Sequence, residues 1–324
     1  MSEEKVKISD KISYYFLRGL SGFASMLPFP VIYFISDIAF LLLYFLARYR
    51  RKIVRSNLVN SFPEKPLKDI RKIERKFYRH FCDYAMESMV LPFISDKKMR
   101  ERFIYKNPEI FDPYFEQKRS FILVAAHYGN WEMSLQIPKF IKHKLLATYK
   151  PQSNKGVDRF FMETRERFGV EAVSMTGTIK RLVQLMQEGT PVALYLLADQ
   201  RPFHLNVRYW TMFLNQETPI LSGPEKISHK YNLPVFYFDV ERIGRGRYEA
   251  SFRLLEENPA STAEFVVTEK HVRHLESVIR KEPAYWLWSH RRWRHKTFLN
   301  FLEVMGKTPD SPGVEYNHDL IRIP

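Results

Sequence analysis

Phe121-Ile122-Leu123-Val124-Ala125-Ala126, running without a break into His127-Tyr128-Gly129-Asn130-Trp131-Glu132, is the stretch on which the fold turns. Six apolar residues with no alternation read as a strand buried on both faces, the signature of a parallel sheet. Gly129 and Asn130 then supply a turn, and Asn130 is a good helix N-cap. His127 and Glu132 are five apart, which on a continuous helix would separate them by about 140°. They can meet only if the backbone turns between them. The strand delivers His127 to the C-terminal edge of the sheet, where open α/β folds place their ligands. Glu132 falls in the first turn of the following helix, where a negative charge is favoured.

Downstream the pattern alternates. Leu145–Tyr149, Val170–Met175 and Val192–Leu197 read as strands, separated by helices over Trp131–Ile141, Val157–Phe168 and Thr178–Gln187. A helix over Ser222–Tyr231 leads to strands Val235–Arg242 and Tyr248–Leu255, joined at Gly244-Arg245-Gly246, and a last helix covers Thr262–Lys281. Strands alternating with helices imply an α/β fold, a largely parallel central sheet flanked by helices, with one late antiparallel hairpin. Upstream, residues 66–91 read as an amphipathic helix with an apolar stripe at Ile70, Ile73, Phe77, Phe81 and Tyr84. The expected division is an apolar N-terminal segment (1–52), an amphipathic helical region (53–120), an α/β domain (121–305) and an irregular tail (306–324).

The 324 residues carry a formal charge of +15 and are 15% aromatic, a balance suited to a polyanionic partner. Cys82 is the only cysteine, which excludes a disulfide framework and a thiolate zinc site. From Ile12 to Ala47 the chain is overwhelmingly apolar, broken by Arg18, Pro28, Pro30 and Asp37, and it ends in Arg48-Tyr49-Arg50-Arg51-Lys52. Asp37 at a bilayer centre would cost roughly 2.5–3.5 kcal/mol, so a membrane-embedded hairpin or shallow helix pair is expected rather than a clean span. Basic residues on both sides fit an anionic membrane surface.

There is no Gly-x-Ser-x-Gly elbow, no Walker loop and no dinucleotide fingerprint. His271 and His274, three apart on a helix, lack a clear carboxylate partner, so no metal is expected. A histidine without an enzyme nucleophile suggests direct transfer, with His127 taking the proton of an acceptor hydroxyl and Glu132 holding the imidazole. Lys150, Asp199, Gln200 and Arg201 follow strands that end at the same edge, and Arg165 lies near the end of a helix beside it. Trp286, Trp288, His290, Arg291, Arg292 and Trp293 form a basic-aromatic knot, readable as a phosphate or membrane-interface contact or as a packed cation–π cluster.

The chain resembles the bacterial lipid A biosynthesis acyltransferases, within the glycerolipid acyltransferase superfamily. The resemblance rests on Arg50 to Glu64 with Asn57-Leu58 and Phe62-Pro63-Glu64, on His127-Tyr128-Gly129-Asn130-Trp131-Glu132, on Tyr149-Lys150-Pro151 through Asn154, Arg165 and Gly169 to Asp199-Gln200, and on Trp288-Ser289-His290-Arg291-Arg292-Trp293. It implies transfer of a fatty acyl chain from acyl carrier protein to a hydroxyl of a lipid A precursor at the cytoplasmic face of the bacterial inner membrane, without a metal or other cofactor. It implies His127 and Glu132 as the catalytic pair, with Gly129, Asn130, Lys150, Arg165, Asp199, Gln200, Arg291 and Arg292 as substrate-binding residues. Where such proteins commonly carry Phe-Phe-Gly before a Thr, this chain has Phe213-Leu214-Asn215 and then Thr218. Two other classes stay open: the same transfer onto an aminolipid, lysophospholipid or glycolipid, and a non-catalytic protein that binds anionic membrane. Nucleic acid is not an expected partner, since the apolar N-terminus accompanies no nucleic-acid module.

Overall fold

A computed structural model describes residues 7–202, 207, 209–294 and 297–298; the tail expected over 306–324 lies outside them. The N-terminal part is helical: α1 (Ile8–Met26), α2 (Phe29–Leu41, extended by a π turn Leu42–Leu46), α3 (Arg51–Ser61), α4 (Leu67–Val90) and the short α5 (Asp96–Arg100). Strand β1 (Phe103–Tyr105) and α6 (Asp112–Glu116) lead into β2 (Phe121–Ala125), all five of whose residues are buried. The alternation then runs through β3 (Lys144–Tyr149), α7 (Lys155–Arg167), β4 (Glu171–Ser174), α8 (Thr178–Gln187) and β5 (Val192–Leu197). A hairpin of β6 (Tyr209–Phe213) and β7 (Gln216–Ile220) precedes α9 (Gly223–Tyr231), β8 (Val235–Gly244), β9 (Arg247–Glu256) and α10 (Val266–Lys281).

Among the described residues the main sheet has seven strands in the order β1-β9-β8-β2-β5-β3-β4. Only the β8–β9 pair is antiparallel, so the expected largely parallel sheet with one late hairpin is what forms. The two faces are covered by separate apolar clusters, one containing Ile122, Val124 and Leu194, the other Phe121, Leu123 and Phe236. Consecutive β2 residues go to opposite clusters, which is why the strand reads as unbroken apolar sequence. β1 lies within the stretch 53–120 and pairs with β9, so that stretch contributes a strand to the sheet.

One expectation is corrected, and two features go beyond what was read from the sequence. Residues Trp131–Lys139 form a 3₁₀ helix rather than the α-helix expected over 131–141. Pro138 has no N–H to give an α-helical ladder, and Ser134 Oγ donates to the Trp131 carbonyl. The hairpin β6–β7 was not read from the sequence; its turn is Leu214-Asn215, both left-handed, so Asn215 stands at a position that glycine would fill at least cost. The other such feature is on α4, whose buried residues include Glu74, His80, Asp83 and Glu87 as well as the expected Ile70 and Phe77. A second stripe of α4 faces α2, where Ser36 Oγ donates to Asp83 Oδ1 (2.7 Å) and Tyr33 Oη to Glu87 Oε1 (3.1 Å).

The apolar N-terminus is a helix pair, as expected, broken at Leu27-Pro28. Phe29–Leu46 is long and apolar enough to cross a membrane by length and composition, with a mean hydropathy of 2.1. Asp37 is not bare: both its oxygens receive Arg245 (2.8 and 3.0 Å). α1 packs against α7, where Tyr14 Oη and Arg18 both donate to Glu163. Gly156 sits so close to the Asp10 carbonyl that a Cβ there would lie 1.8 Å from it.

Candidate active site

β2 and β5 are adjacent and parallel, so their C-terminal ends present residues side by side. From the first comes His127 and from the second Asp199, 72 positions later. The backbone N–H of His127 donates to Asp199 Oδ2 (3.1 Å) and its ring Nδ1 to Oδ1 (2.7 Å). Trp286 Nε1 supplies a third bond, to Oδ2 at 2.8 Å. The Asp199 side chain is 2% exposed and the His127 ring 17%. Burial alone would push the Asp199 carboxyl up. The His127 ring, Trp286 and the His127 N–H pull it down further, and the net lies below the usual carboxylate range. An ionised Asp199 can only accept, so Nδ1 carries the proton and Nε2 presents a lone pair. The side-chain amide of Gln200 donates to that lone pair (3.1 Å) and must step aside before Nε2 can act as a base.

Glu132 does not orient the imidazole. That expectation rested on closeness in sequence, and the orienting acid is Asp199. Glu132 instead lines, with His127, a cleft of about 550 Å³ over the ends of β5 and β3. Lys150, Arg165 and Gln200 line the same cleft, together with apolar residues such as Phe161, Ile179 and Ile227. The expectation that His127, Lys150 and Asp199 share one edge follows from the strand order. Arg165 also lies 5.7 Å from the Tyr149 ring and 5.9 Å from that of Phe161.

The remaining expected residues lie beneath or beside the cleft rather than on its wall. Gly129 has φ +61°, and a Cβ on it would fall 2.8 Å from Val240, so it shapes the turn. Asn130 is fully buried; its Oδ1 caps the 3₁₀ helix at Met133 N (3.2 Å), and its Nδ2 donates to Glu87 Oε2 (2.7 Å). Arg292 is 2% exposed and gives a hydrogen bond to the Pro219 carbonyl, while Arg291 is exposed. The basic-aromatic knot is therefore largely core: Trp288 is fully buried, and Asn57 Nδ2 donates to the Trp288 and His290 carbonyls.

Several functional supports were not read from the sequence. Residues 285–287 run antiparallel to 127–129, with Gly129 N donating to Tyr285 O (3.0 Å) and Leu287 N to His127 O (3.1 Å). From α4, His80 Nε2 donates to the Gly129 carbonyl (3.0 Å), while its Nδ1 accepts from Arg242 (3.2 Å). Burial and the Arg242 charge hold His80 down at about 3, so the ring is neutral and its tautomer fixed. Tyr248 and Asn130 both donate to Glu87, whose carboxyl burial pushes up. The spacing 80, 83, 87 on α4 was the available signal: three polar residues on one helical face.

Residues 4–295 match the family model for bacterial lipid A biosynthesis acyltransferases. The chain is 22% identical over 273 residues to the lipid A biosynthesis palmitoleoyltransferase of Escherichia coli (strain K12), covering 83% of this chain and 86% of that protein. The same figures hold for a lipid A biosynthesis acyltransferase of Shigella flexneri. Among solved structures, the 1-acyl-sn-glycerophosphate (LPA) acyltransferase of Thermotoga maritima aligns with 86% of this chain and 99% of its own, at 13% identity. The TM-score of 0.35 is too low to equate the two folds.

Proposed function

Since the chain belongs to the bacterial lipid A biosynthesis acyltransferase family, we propose that it moves a fatty acyl chain from the thioester of an acyl carrier protein to a hydroxyl of a lipid A precursor. The observation that carries this reading is the His127–Asp199 pair, 2.7 Å apart, with its ring edge in a largely apolar cleft. Nε2 of His127 removes the acceptor hydroxyl proton as the oxygen attacks the thioester carbonyl carbon. The C–S bond then breaks, and the departing sulfur takes the proton from the imidazolium. No bond to the enzyme forms, so the absence of a nucleophile elbow is no obstacle. Asp199 keeps the ring in the tautomer with a free Nε2 and stabilises the imidazolium while it exists. Glu132, on the cleft wall, accepts a hydrogen bond from the acceptor. Lys150 and Arg165 supply positive charge for phosphates on either substrate.

The N-terminal helices hold the enzyme on the membrane. Tyr15, Phe16, Phe23, Phe34, Phe45 and Leu46 are all more than half exposed, large apolar side chains that a bilayer would cover. The opposite face of α2 is bound to α4 through buried charges, so α2 lies in the interface rather than crossing the bilayer. Placed this way, at the cytoplasmic face of the inner membrane, the +15 chain meets both an acidic carrier protein and phosphorylated lipid.

The test is transfer of labelled acyl chain from acyl carrier protein onto a lipid A precursor by the detergent-purified protein, with His127→Ala alongside. Label on the lipid with wild type and not with the variant is expected. Donor hydrolysis that still depends on His127, with no labelled lipid A precursor, would move the acceptor to another lipid class.

A further inference from the structure

A second cleft, of about 700 Å³, opens at the same sheet edge, over the end of β8 rather than over β5 and β3. It shares no lining residue with the cleft that holds His127. Its walls come from α2 (Phe40, Leu41), from α4 (Lys76, Arg79) and from the end of β8 and its turn (Arg242, Arg245). Two carboxylates, Asp37 and Asp83, line it against these four cations, and with Glu282 paired to Lys76 an excess of one positive charge remains.

The carboxylates are already engaged. Asp83 is 2% exposed and receives Arg242 Nη2 (2.9 Å), Arg245 Nη2 (2.8 Å) and Ser36 Oγ (2.7 Å). Asp37 receives Arg245. Lys76 pairs with Glu282 at 2.6 Å. Arg79 differs from the other three cations. Its side chain makes no hydrogen bond or ion pair with any described residue, and its guanidinium stands 5.1 Å from the Phe40 ring. Five planar N–H donors are thus held against an aromatic ring at the mouth of a positively charged cleft. The ligand that uses them best is a tetrahedral dianion, which accepts two parallel N–H bonds and draws on the remaining positive field.

The α2 wall of the cleft decides where that anion comes from. Phe40 and Leu41 belong to the apolar segment Phe29–Leu46, and just beyond them Leu42 and Phe45 are 53% and 54% exposed. A headgroup can therefore enter while its chains stay on the apolar face of the same helix. We propose that this cleft is a phosphate-monoester site for a membrane amphiphile, with Arg79 as its principal ligand. The assignment rests on the membrane placement of α2 given above, and it does not rest on acyl transfer.

Binding of full-length protein to nanodiscs tests it without turnover. Discs of phosphatidylcholine alone are compared with discs that also hold phosphatidic acid, a monoester, or phosphatidylglycerol, a diester, at about 0.15 M salt, where long-range attraction is screened. Wild type is expected to prefer the phosphatidic acid discs. Arg79→Ala should lower that affinity by about tenfold, the weight of one charge-assisted contact, with binding to phosphatidylcholine discs unchanged. Ile243→Asp, at a lining position that is 52% exposed, should do the same by placing a carboxylate in the cleft without disturbing a core. Arg79→Lys should recover part of the loss. Undiminished phosphatidic acid binding by both variants, or an equal loss on all discs, would overturn the proposal. Full displacement by inorganic phosphate at matching concentration would assign the site to free phosphate and overturn the lipid source. If acyl transfer fails while this preference holds, the site stands and only the reaction assigned to the other cleft falls.

Discussion

His127 was legible because a buried strand, a glycine turn and a capping asparagine all surround it within ten residues. Its partner was not legible, because the sequence offered a nearby acid, Glu132, and the true partner comes from a strand 72 positions away. Adjacency of β2 and β5 is a property of sheet order, which periodicity does not report. The two acids accordingly make different predictions. Asp199→Asn should lower transfer about 10³- to 10⁴-fold, since an amide cannot hold the tautomer or offset the imidazolium. Donor hydrolysis should fall with it, because both reactions need the base. Glu132→Gln should instead depress kcat/KM for the acceptor and leave hydrolysis of the donor near wild type. Equal losses of transfer and hydrolysis in Glu132→Gln would place that carboxylate in the base machinery after all. The sign of the acid limb follows from Asp199. Its carboxyl is depressed, so the folded enzyme keeps that charge below the ordinary carboxylate range; the stability linked to it is full above that range and is lost as pH falls from there toward the depressed folded value.

Elements bounded by glycine, proline or an N-cap were legible, and elements held by tertiary contacts were not. α4 lies between Pro66 and Leu91-Pro92 and matches its reading within a residue at each end. α7 begins at its capping residue Asn154, whose Oδ1 accepts from Val157 N, rather than at the first apolar position. The left-handed Leu214-Asn215 turn left no such mark, since leucine is a poor signal for positive φ. α1 was read as membrane-associated, and that reading missed its second partner. Its backbone meets Gly156 of α7, and α7 also carries Arg165 on the cleft wall. Gly156→Ala cannot be accommodated unless α1 shifts, because the added carbon meets backbone rather than the end of a flexible side chain. A cost of about 1–3 kcal/mol is expected, which for a chain of this size lowers Tm by several degrees. Limited proteolysis should then cut near residue 27, between α1 and α2, faster than in wild type; an unchanged cleavage pattern and Tm would show that α1 does not depend on this contact.

Across the whole molecule, the buried polar groups set how it responds to acid. His80 is held down at about 3 by burial and then by Arg242, His290 at about 4 by burial and then by Arg292, and His271 at about 4 by burial alone against the opposing charges of Glu269 and Asp199. In the unfolded chain each would titrate near 6.5. Between roughly pH 6.5 and 4 the unfolded state therefore binds protons that the folded state refuses, and stability falls as pH falls, by up to about 1.4 kcal/mol per pH unit for each ring. Glu87, whose carboxyl is raised by burial, works in the opposite sense, since the folded state holds its proton more tightly. His143, which burial also lowers, makes a fourth ring, and four rings against one carboxyl leave a net loss. His271 isolates one share of it, because its Nε2 has no hydrogen-bond partner among the described residues and it touches neither the base nor the cleft. His271→Leu removes a buried, unpaired nitrogen at similar volume. Urea midpoints measured from pH 7 to 4.5 should fall less steeply in this variant, with one fewer proton taken up on unfolding and no loss of stability at pH 7. A slope identical to wild type would mean that His271 is protonated in the folded enzyme, with Glu269 or Asp199 paired to it, and the burial of α10 would then have to be looser than its position under β6 and β8 requires.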